Sequence, residues 1–164
     1  VRKGFVNFLR NLCRIEGLDE VTLTTNGVLL KEFAAGIKDC GICRINVSLD
    51  SLKAERFFRI TGRDFFDCVW EGIQEAERLG FNPIKINFVA IKGVNDDEIL
   101  DFARLTLEKP YHVRFIEYMP VGEKNCWGSE KFVSIEQIRS MVQKLGVFDP
   151  SSRMPLTVQP RDLL

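Results

Sequence analysis

Strict alternation of apolar and polar side chains over residues 45–50 constrains the fold of this chain more than any other feature. The apolar set is Ile45, Val47 and Leu49, and the polar set is Asn46, Ser48 and Asp50. Such alternation is typical of a β-strand whose two faces meet different surroundings. By itself it fits either an antiparallel strand with one face in water or a strand whose polar face lines a ligand cavity.

The order of the other segments favours the cavity. Strands are predicted at about 21–27, 44–49, 84–91 and 113–119, and helices at about 4–16, 29–40 and 65–79 and after Ser51, Asn95 and Ser134. Strands that alternate with helices predict right-handed βαβ units and a parallel sheet. Parallel sheets are covered on both faces or closed into a barrel. We therefore expect an α/β fold, a barrel or half barrel with about four parallel strands and flanking helices.

Local signals predict how the helices begin and what they bury. Asn95 with Glu98, and Ser134 with Gln137, have the spacing of capping boxes. Ser51 is predicted to cap the short helix that follows it. The first helix is predicted to end at Gly17. The residues that helical periodicity predicts to be buried include Phe8, Ile15 and Leu107.

The strand faces opposite the helices are polar. They carry Thr22, Thr24, Asn26, Asn46, Ser48, Asp50, Lys85, Asn87 and Arg114. A barrel interior is normally filled by branched apolar side chains, so a polar interior indicates a polar ligand. Four strands cannot close a barrel, and the two open edges indicate that further strands belong to the fold.

Lys85 and Arg114 are predicted to face this cavity together. A buried cation without a partner is very costly, so Asp50 or Glu117 neutralises them or an anionic ligand does. An internal ion pair with Asp50 and a site for phosphate or carboxylate both remain open.

Composition excludes several classes of function. Lys plus Arg and Asp plus Glu each number 23, which does not indicate a basic surface for nucleic acid. No apolar run approaches the roughly 18 residues of a membrane span. Five cysteines at irregular spacing indicate the reducing cytoplasm. Because the pair Cys40 and Cys43 lacks a second such pair, we expect the cysteines to serve in packing.

Six segments occur in an order that resembles a known family. They are Thr24-Thr25-Asn26-Gly27, Asn46-Val47-Ser48-Leu49-Asp50-Ser51-Leu52, Ile60-Thr61-Gly62-Arg63, Lys85-Ile86-Asn87, Lys92-Gly93-Val94-Asn95-Asp96 and Arg114-Phe115-Ile116-Glu117-Tyr118-Met119. Together they resemble the GTP 3',8-cyclase family, radical S-adenosylmethionine (SAM) enzymes of molybdenum cofactor biosynthesis. The resemblance covers residues 1–146.

The resemblance implies an incomplete (β/α)6 radical-SAM barrel, two 4Fe-4S clusters, SAM, the substrate GTP and a homodimer. Thr24, Lys85 and Arg114 resemble GTP-binding residues, and Ser48, Asn26 and Met119 resemble SAM-binding residues. Met119 lies five positions after Arg114, so a regular strand would point it to the other face unless a bulge intervenes or its backbone makes the contact.

The cluster-binding cysteine motifs of that family are absent from the sequence. We therefore expect residues 1–146 to form the central part of the core barrel, inactive by itself, and residues 147–164 to form an irregular tail or the start of a C-terminal segment. Two alternatives remain open. One is a (β/α) barrel aldolase with Lys85 as its Schiff-base amine, and the other is a non-enzymatic βα binding module.

Overall fold

The computed structural model of the protein describes residues 2–119 and 128–145. Its helices are α1 (Phe5–Leu12), α2 (Leu30–Asp39), α3 (Ala54–Thr61), α4 (Phe66–Arg78), α5 (Ile99–Glu108) and α6 (Ile135–Val142). Its strands are β1 (Leu23–Thr25), β2 (Ile45–Ser48), β3 (Ile84–Ala90) and β4 (Tyr111–Glu117). Short 3-10 turns span Asp96–Glu98, Ser129–Lys131 and Gln143–Leu145. The predicted tail, 147–164, lies outside the described residues, and the division of the chain at residue 146 stays a prediction.

The described strands form one open parallel sheet in the order β1-β2-β3-β4. Leu23 pairs with Ile45, Ile45 with Ile84, and Ile84 with Tyr111. Helices connect the successive strands and flank the sheet. The α/β class, the four parallel strands and the alternation of helix and strand are therefore confirmed.

One face of the sheet forms the core beneath the helices. Its residues include Ile45, Val47, Leu49, Ile84, Ile86, Phe88, Val113 and Phe115, all of them buried. The ring of Phe88 on β3 packs 4.2 Å, centroid to centroid, from the ring of Phe102 on α5. For β2, β3 and β4, the alternate residues predicted to form the apolar face are thus the ones that pack against helices.

Three residues predicted to be buried are exposed. Phe8, Ile15 and Leu107 expose 61%, 53% and 60% of their surface. Helix α1 packs mainly on α2, so only one narrow side of it is covered. It also ends at Leu12, which leaves Ile15 outside the helix. Helical periodicity indicates which residues share a face, but neighbouring elements decide how wide a face is buried.

Some of the predicted helix caps are confirmed and others are wrong. Ser134 and Gln137 form the reciprocal capping box at α6. Asn95 and Glu98 do not form one, and Ser51 is not the cap of α3, whose N-cap is Lys53. These three polar side chains make longer-range contacts, described below. Within the described residues, no helix is both long and apolar enough to cross a membrane.

Gly27 lies in the turn between β1 and α2. Its φ is +79°, and a Cβ there would lie 2.8 Å from Val69 Cγ1 and 2.9 Å from Val47 Cγ1. Both the backbone conformation and the packing therefore require glycine. The close packing of Gly27 against α4 was not foreseen from the sequence.

We predict that Gly27→Ala destabilises the fold by about 2–4 kcal/mol, since left-handed backbone strain adds to overpacking. Gly41→Ala is the matched control, because Gly41 has a φ of +89° but a Cβ added there would have no atom within 4 Å. It should cost about 1–2 kcal/mol, the backbone cost alone. Urea unfolding of both variants measures the difference, and equal losses would contradict the packing argument.

Candidate functional site

The second face of the sheet carries polar side chains in two rows that cross the strands. The first row is Thr24, Asn46, Lys85 and His112, and the second is Ser48, Asn87 and Arg114. All of these side chains are exposed or half-buried. Neighbouring strands lie about 4.8 Å apart, so each row brings its side chains together. The prediction that Thr24, Ser48, Lys85 and Arg114 share a face is confirmed by the register.

Hydrogen bonding within the first row is limited. Asn46 Nδ2 donates to Thr24 Oγ1 at 3.1 Å. Within residues 2–119 and 128–145, Lys85 and Arg114 have neither an ion pair nor a hydrogen bond from their side chains. Arg44, just before β2, is held by Glu20 at 2.6 Å. The N-terminal half of this face is therefore rich in positive charge.

The charges act on one another. Burial lowers the pKa of the Lys85 ammonium, and the charges of Arg114 and Arg44 lower that pKa further, against an opposing effect of Glu20. A bound anion would relieve this repulsion, because an opposite charge favours the charged form of each cation.

Three buried polar atoms on this face have no hydrogen-bond partner among the described residues. They are Arg44 Nε, Asn87 Oδ1 and Arg114 Nε. Buried polar atoms are nearly always paired. A ligand that offers an acceptor oxygen to Arg114 Nε and a donor to Asn87 Oδ1 would satisfy two of them.

Asp50 does not neutralise these cations. Its Oδ1 accepts a hydrogen bond from the backbone N of Val89 at 2.9 Å. Burial raises the pKa of its carboxyl group, and the bond from Val89 partly opposes that rise. The proposed internal ion pair between Asp50 and Lys85 or Arg114 is therefore wrong. Asp50 instead continues the β2–β3 ladder one step beyond the bond from Leu49 N to Asn87 O.

Asn95 ties together the loops that follow β2 and β3. Its Oδ1 accepts from Ile91 N at 2.7 Å, and its Nδ2 donates to Asp50 O at 2.8 Å and to Val89 O at 2.9 Å. The side chain is fully buried. An amide has both a donor and an acceptor group, so one residue satisfies three backbone groups that the ending strands leave unpaired.

Glu98 makes a second tie between the same loops. Its buried carboxylate accepts from Ser51 Oγ at 2.9 Å, from Leu52 N at 2.7 Å and from Arg56 Nη1 at 2.6 Å. Ser51 is 47 positions away in sequence, so no local pattern could reveal this contact. The capping roles predicted for Asn95, Glu98 and Ser51 are wrong because these side chains are used between loops.

Asn26 and Met119 lie at the C-terminal ends of the edge strands. Asn26 is exposed, and its Oδ1 accepts from Val28 N at 3.3 Å. Met119 follows β4 by two residues and exposes 65% of its surface. β4 pairs residue by residue with β3 from Tyr111 to Glu117, so no bulge within that strand reorients Met119.

The four cysteines among the described residues are free thiols. Cys40 is buried and its Sγ donates to Gly36 O at 3.1 Å, as expected of a packing residue. Cys43 and Cys68 are exposed, so their predicted packing role is wrong; Cys126 lies outside the described residues. Across residues 2–119 and 128–145, no three His, Cys, Asp or Glu side chains gather where they could hold a metal ion.

Comparison with known proteins gives concordant results. Residues 1–106 match the family model of the radical SAM superfamily. The chain is 47% identical over 145 residues to a GTP 3',8-cyclase of Alkaliphilus metalliredigens, which covers 88% of this chain and 45% of that protein. A GTP 3',8-cyclase of Thermodesulfovibrio yellowstonii is 47% identical over 151 residues, or 92% of this chain and 47% of that protein. The chain thus spans about half the length of the curated relatives it matches.

We predict that Asp50→Ala destabilises the fold by about 1–3 kcal/mol, since Val89 N loses its acceptor. Asp50→Asn keeps an acceptor oxygen and removes a buried charge, so it should be as stable as the parent chain or more stable at neutral pH. Because the pKa of Asp50 is raised by folding, the parent gains stability relative to Asp50→Asn as pH falls through that pKa. Urea unfolding across pH tests this, and equal losses for both variants would contradict it.

Glu98→Ala should destabilise the chain by about 3–5 kcal/mol, because it removes the buried carboxylate that binds Arg56 and that accepts from Ser51 Oγ and Leu52 N. Asp97→Ala is the control: it removes an Arg56 partner that is 57% exposed and should cost less than about 1 kcal/mol. Urea unfolding measures both. A small loss for Glu98→Ala would show that the tie does not stabilise the fold.

Proposed function

Because the chain belongs to the radical SAM superfamily, we propose that it is the central part of a GTP 3',8-cyclase. The whole protein would be a lyase that uses SAM and 4Fe-4S clusters to convert GTP to a 3',8-cyclised dihydroguanosine triphosphate for molybdopterin synthesis. The relatives that bear this name cover most of the chain at 47% identity, which supports the proposal.

The observation that carries the proposal is the pair of cations on the polar face. Lys85 and Arg114 lie on adjacent strands in adjacent rows, and neither has a carboxylate partner among the described residues. The triphosphate of GTP supplies that negative charge. An arginine offers a planar fork of donors and a lysine a point charge, and both suit phosphate oxygens.

The positions of the other predicted site residues along the strands indicate which ligand each one contacts. Thr24 lies in the same row as Lys85, and we assign it a contact with GTP. Ser48 ends β2, while Asn26 and Met119 follow β1 and β4. Ligands of parallel α/β folds bind at the C-terminal ends of strands, and we assign these three residues to SAM.

A bound, reduced cluster would supply the electron that cleaves SAM to a radical. The described residues contain no ligand set for a cluster, so we assign them only to binding. Their task is to hold GTP and SAM on one face of the sheet and to orient them toward each other. Glu98 and Asn95 fix the loops beside Ser48 and act as positioning residues.

The proposal extends to the setting of the whole protein: a cytoplasmic homodimer that acts on GTP and SAM and binds neither nucleic acid nor membranes. The named relatives give no support to a Schiff-base aldolase or a non-enzymatic module. In an aldolase, borohydride would trap a carbonyl substrate on Lys85.

We predict that Lys85→Ala and Arg114→Ala each weaken GTP binding by the intact protein by about ten- to a hundredfold, the loss expected for one charge-assisted hydrogen bond. Guanosine binding should change little, because it has no phosphate. Arg59→Ala, an exposed cation of α3, is the control and should leave GTP affinity unchanged. Isothermal titration calorimetry measures the GTP and guanosine affinities of the parent and of the three variants. Unchanged GTP affinity in Lys85→Ala would disprove the phosphate role.

A further inference from the structure

His112 is the one histidine of the chain, and it lies on the polar face. It is the register partner of Lys85, and Arg114 follows two residues later on the same strand. Residues two apart on a strand point to the same side, about 7 Å apart. The imidazole is half-buried. Its position within the first row therefore places it among the cations of the face.

Three cationic side chains act on His112. Lys85 lies on β3, Arg114 on β4 and Arg44 just before β2, and burial and these three charges lower the pKa of the imidazole. Two acidic side chains that lie near these strands in sequence have other partners: Glu20 pairs with Arg44 at 2.6 Å, and Asp50 accepts from Val89 N. Without an anion, the imidazole at neutral pH is therefore uncharged.

We propose that His112 is a further ligand of the triphosphate, and that its imidazole takes up one proton from solvent when the polyanion binds. The inference rests on the proposed function, because the proposed function places the triphosphate beside Lys85 and Arg114. No bond of the nucleotide breaks in this step. The neutral ring nitrogen gains a proton, and the resulting imidazolium donates a hydrogen bond to a phosphate oxygen.

The physical reason is charge balance. Three neighbouring cations disfavour a fourth, and a bound triphosphate reverses the sign of the local field. A histidine is the side chain whose charge changes near neutral pH in response to such a change. Proton uptake makes nucleotide binding pH-dependent through linkage, and it discriminates against ligands that lack the polyanion.

A single histidine makes the test direct, since its imidazole gives one resolved set of NMR signals in the 164-residue chain. The signals are titrated with pH in the free chain and with millimolar GTP, inorganic tripolyphosphate or guanosine. We expect the pKa of His112 to rise by about one unit, a tenfold change in proton affinity, with GTP and tripolyphosphate, and to stay unchanged with guanosine.

Three variants separate electrostatic coupling from structural change. Lys85→Met should raise the pKa of His112 in the free chain, because it removes the neighbouring positive charge, whereas Arg59→Met should leave it unchanged. His112→Gln retains hydrogen-bonding groups but cannot titrate. The affinity for tripolyphosphate depends on pH in part because the phosphate itself titrates. In His112→Gln only that part of the pH dependence should remain.

The outcomes distinguish this inference from the proposed function. Lys85-dependent binding of tripolyphosphate with no change in the pKa of His112 would overturn the inference and leave the function intact. If neither GTP nor tripolyphosphate binds in the millimolar range, the phosphate role of Lys85 and Arg114 is wrong, and the inference falls with it.

Discussion

The parallel register between β2 and β3 is the constraint on which the rest of this structure depends. Side chains alternate between faces along a strand, so a slip of one residue would exchange the apolar and polar faces. Asp50, Asn95 and Glu98 hold this register where the strands end, through hydrogen bonds to backbone groups of β3 and of the loop after β2. Two of these side chains are fully buried, and water cannot compete for their bonds.

The same hydrogen bonds explain why the cations of the polar face have no carboxylate partner among the described residues. The carboxylates closest to the ends of β2 and β3 are bound to backbone N–H groups or to Arg56, so they are not available to Lys85 and Arg114. The positive charge of the face is thereby left for a ligand. Different polar residues of the same short segments therefore contribute to binding and to stability. Ser48 and Lys85 lie on the polar face, while Ser51 and Asn95 are buried.

Several features of the fold and the site could be predicted from local sequence. Alternation in β2 and β3 predicted which side chains share the polar face, because a strand has a period of two wherever it is placed. Helix order predicted the parallel sheet, and the capping box at Ser134 was correct because its two partners are three residues apart. Asn95 and Glu98 have the same spacing, yet their partners lie on another loop. The exposure of Phe8 and Leu107 also depends on which neighbours cover a helix.

The sequence by itself determined the class of the fold, the face on which Thr24, Ser48, Lys85 and Arg114 lie, and the resemblance to a radical SAM family. These follow from periodicity and from ordered motifs, which are local properties of the chain. Only the tertiary structure decided that Asp50 pairs with Val89 N rather than with a cation, and that Glu98 joins Ser51 and Arg56. It also placed His112 beside Lys85. Each of these depends on contacts across more than 25 positions of sequence, and strand register creates such contacts only when the sheet has formed.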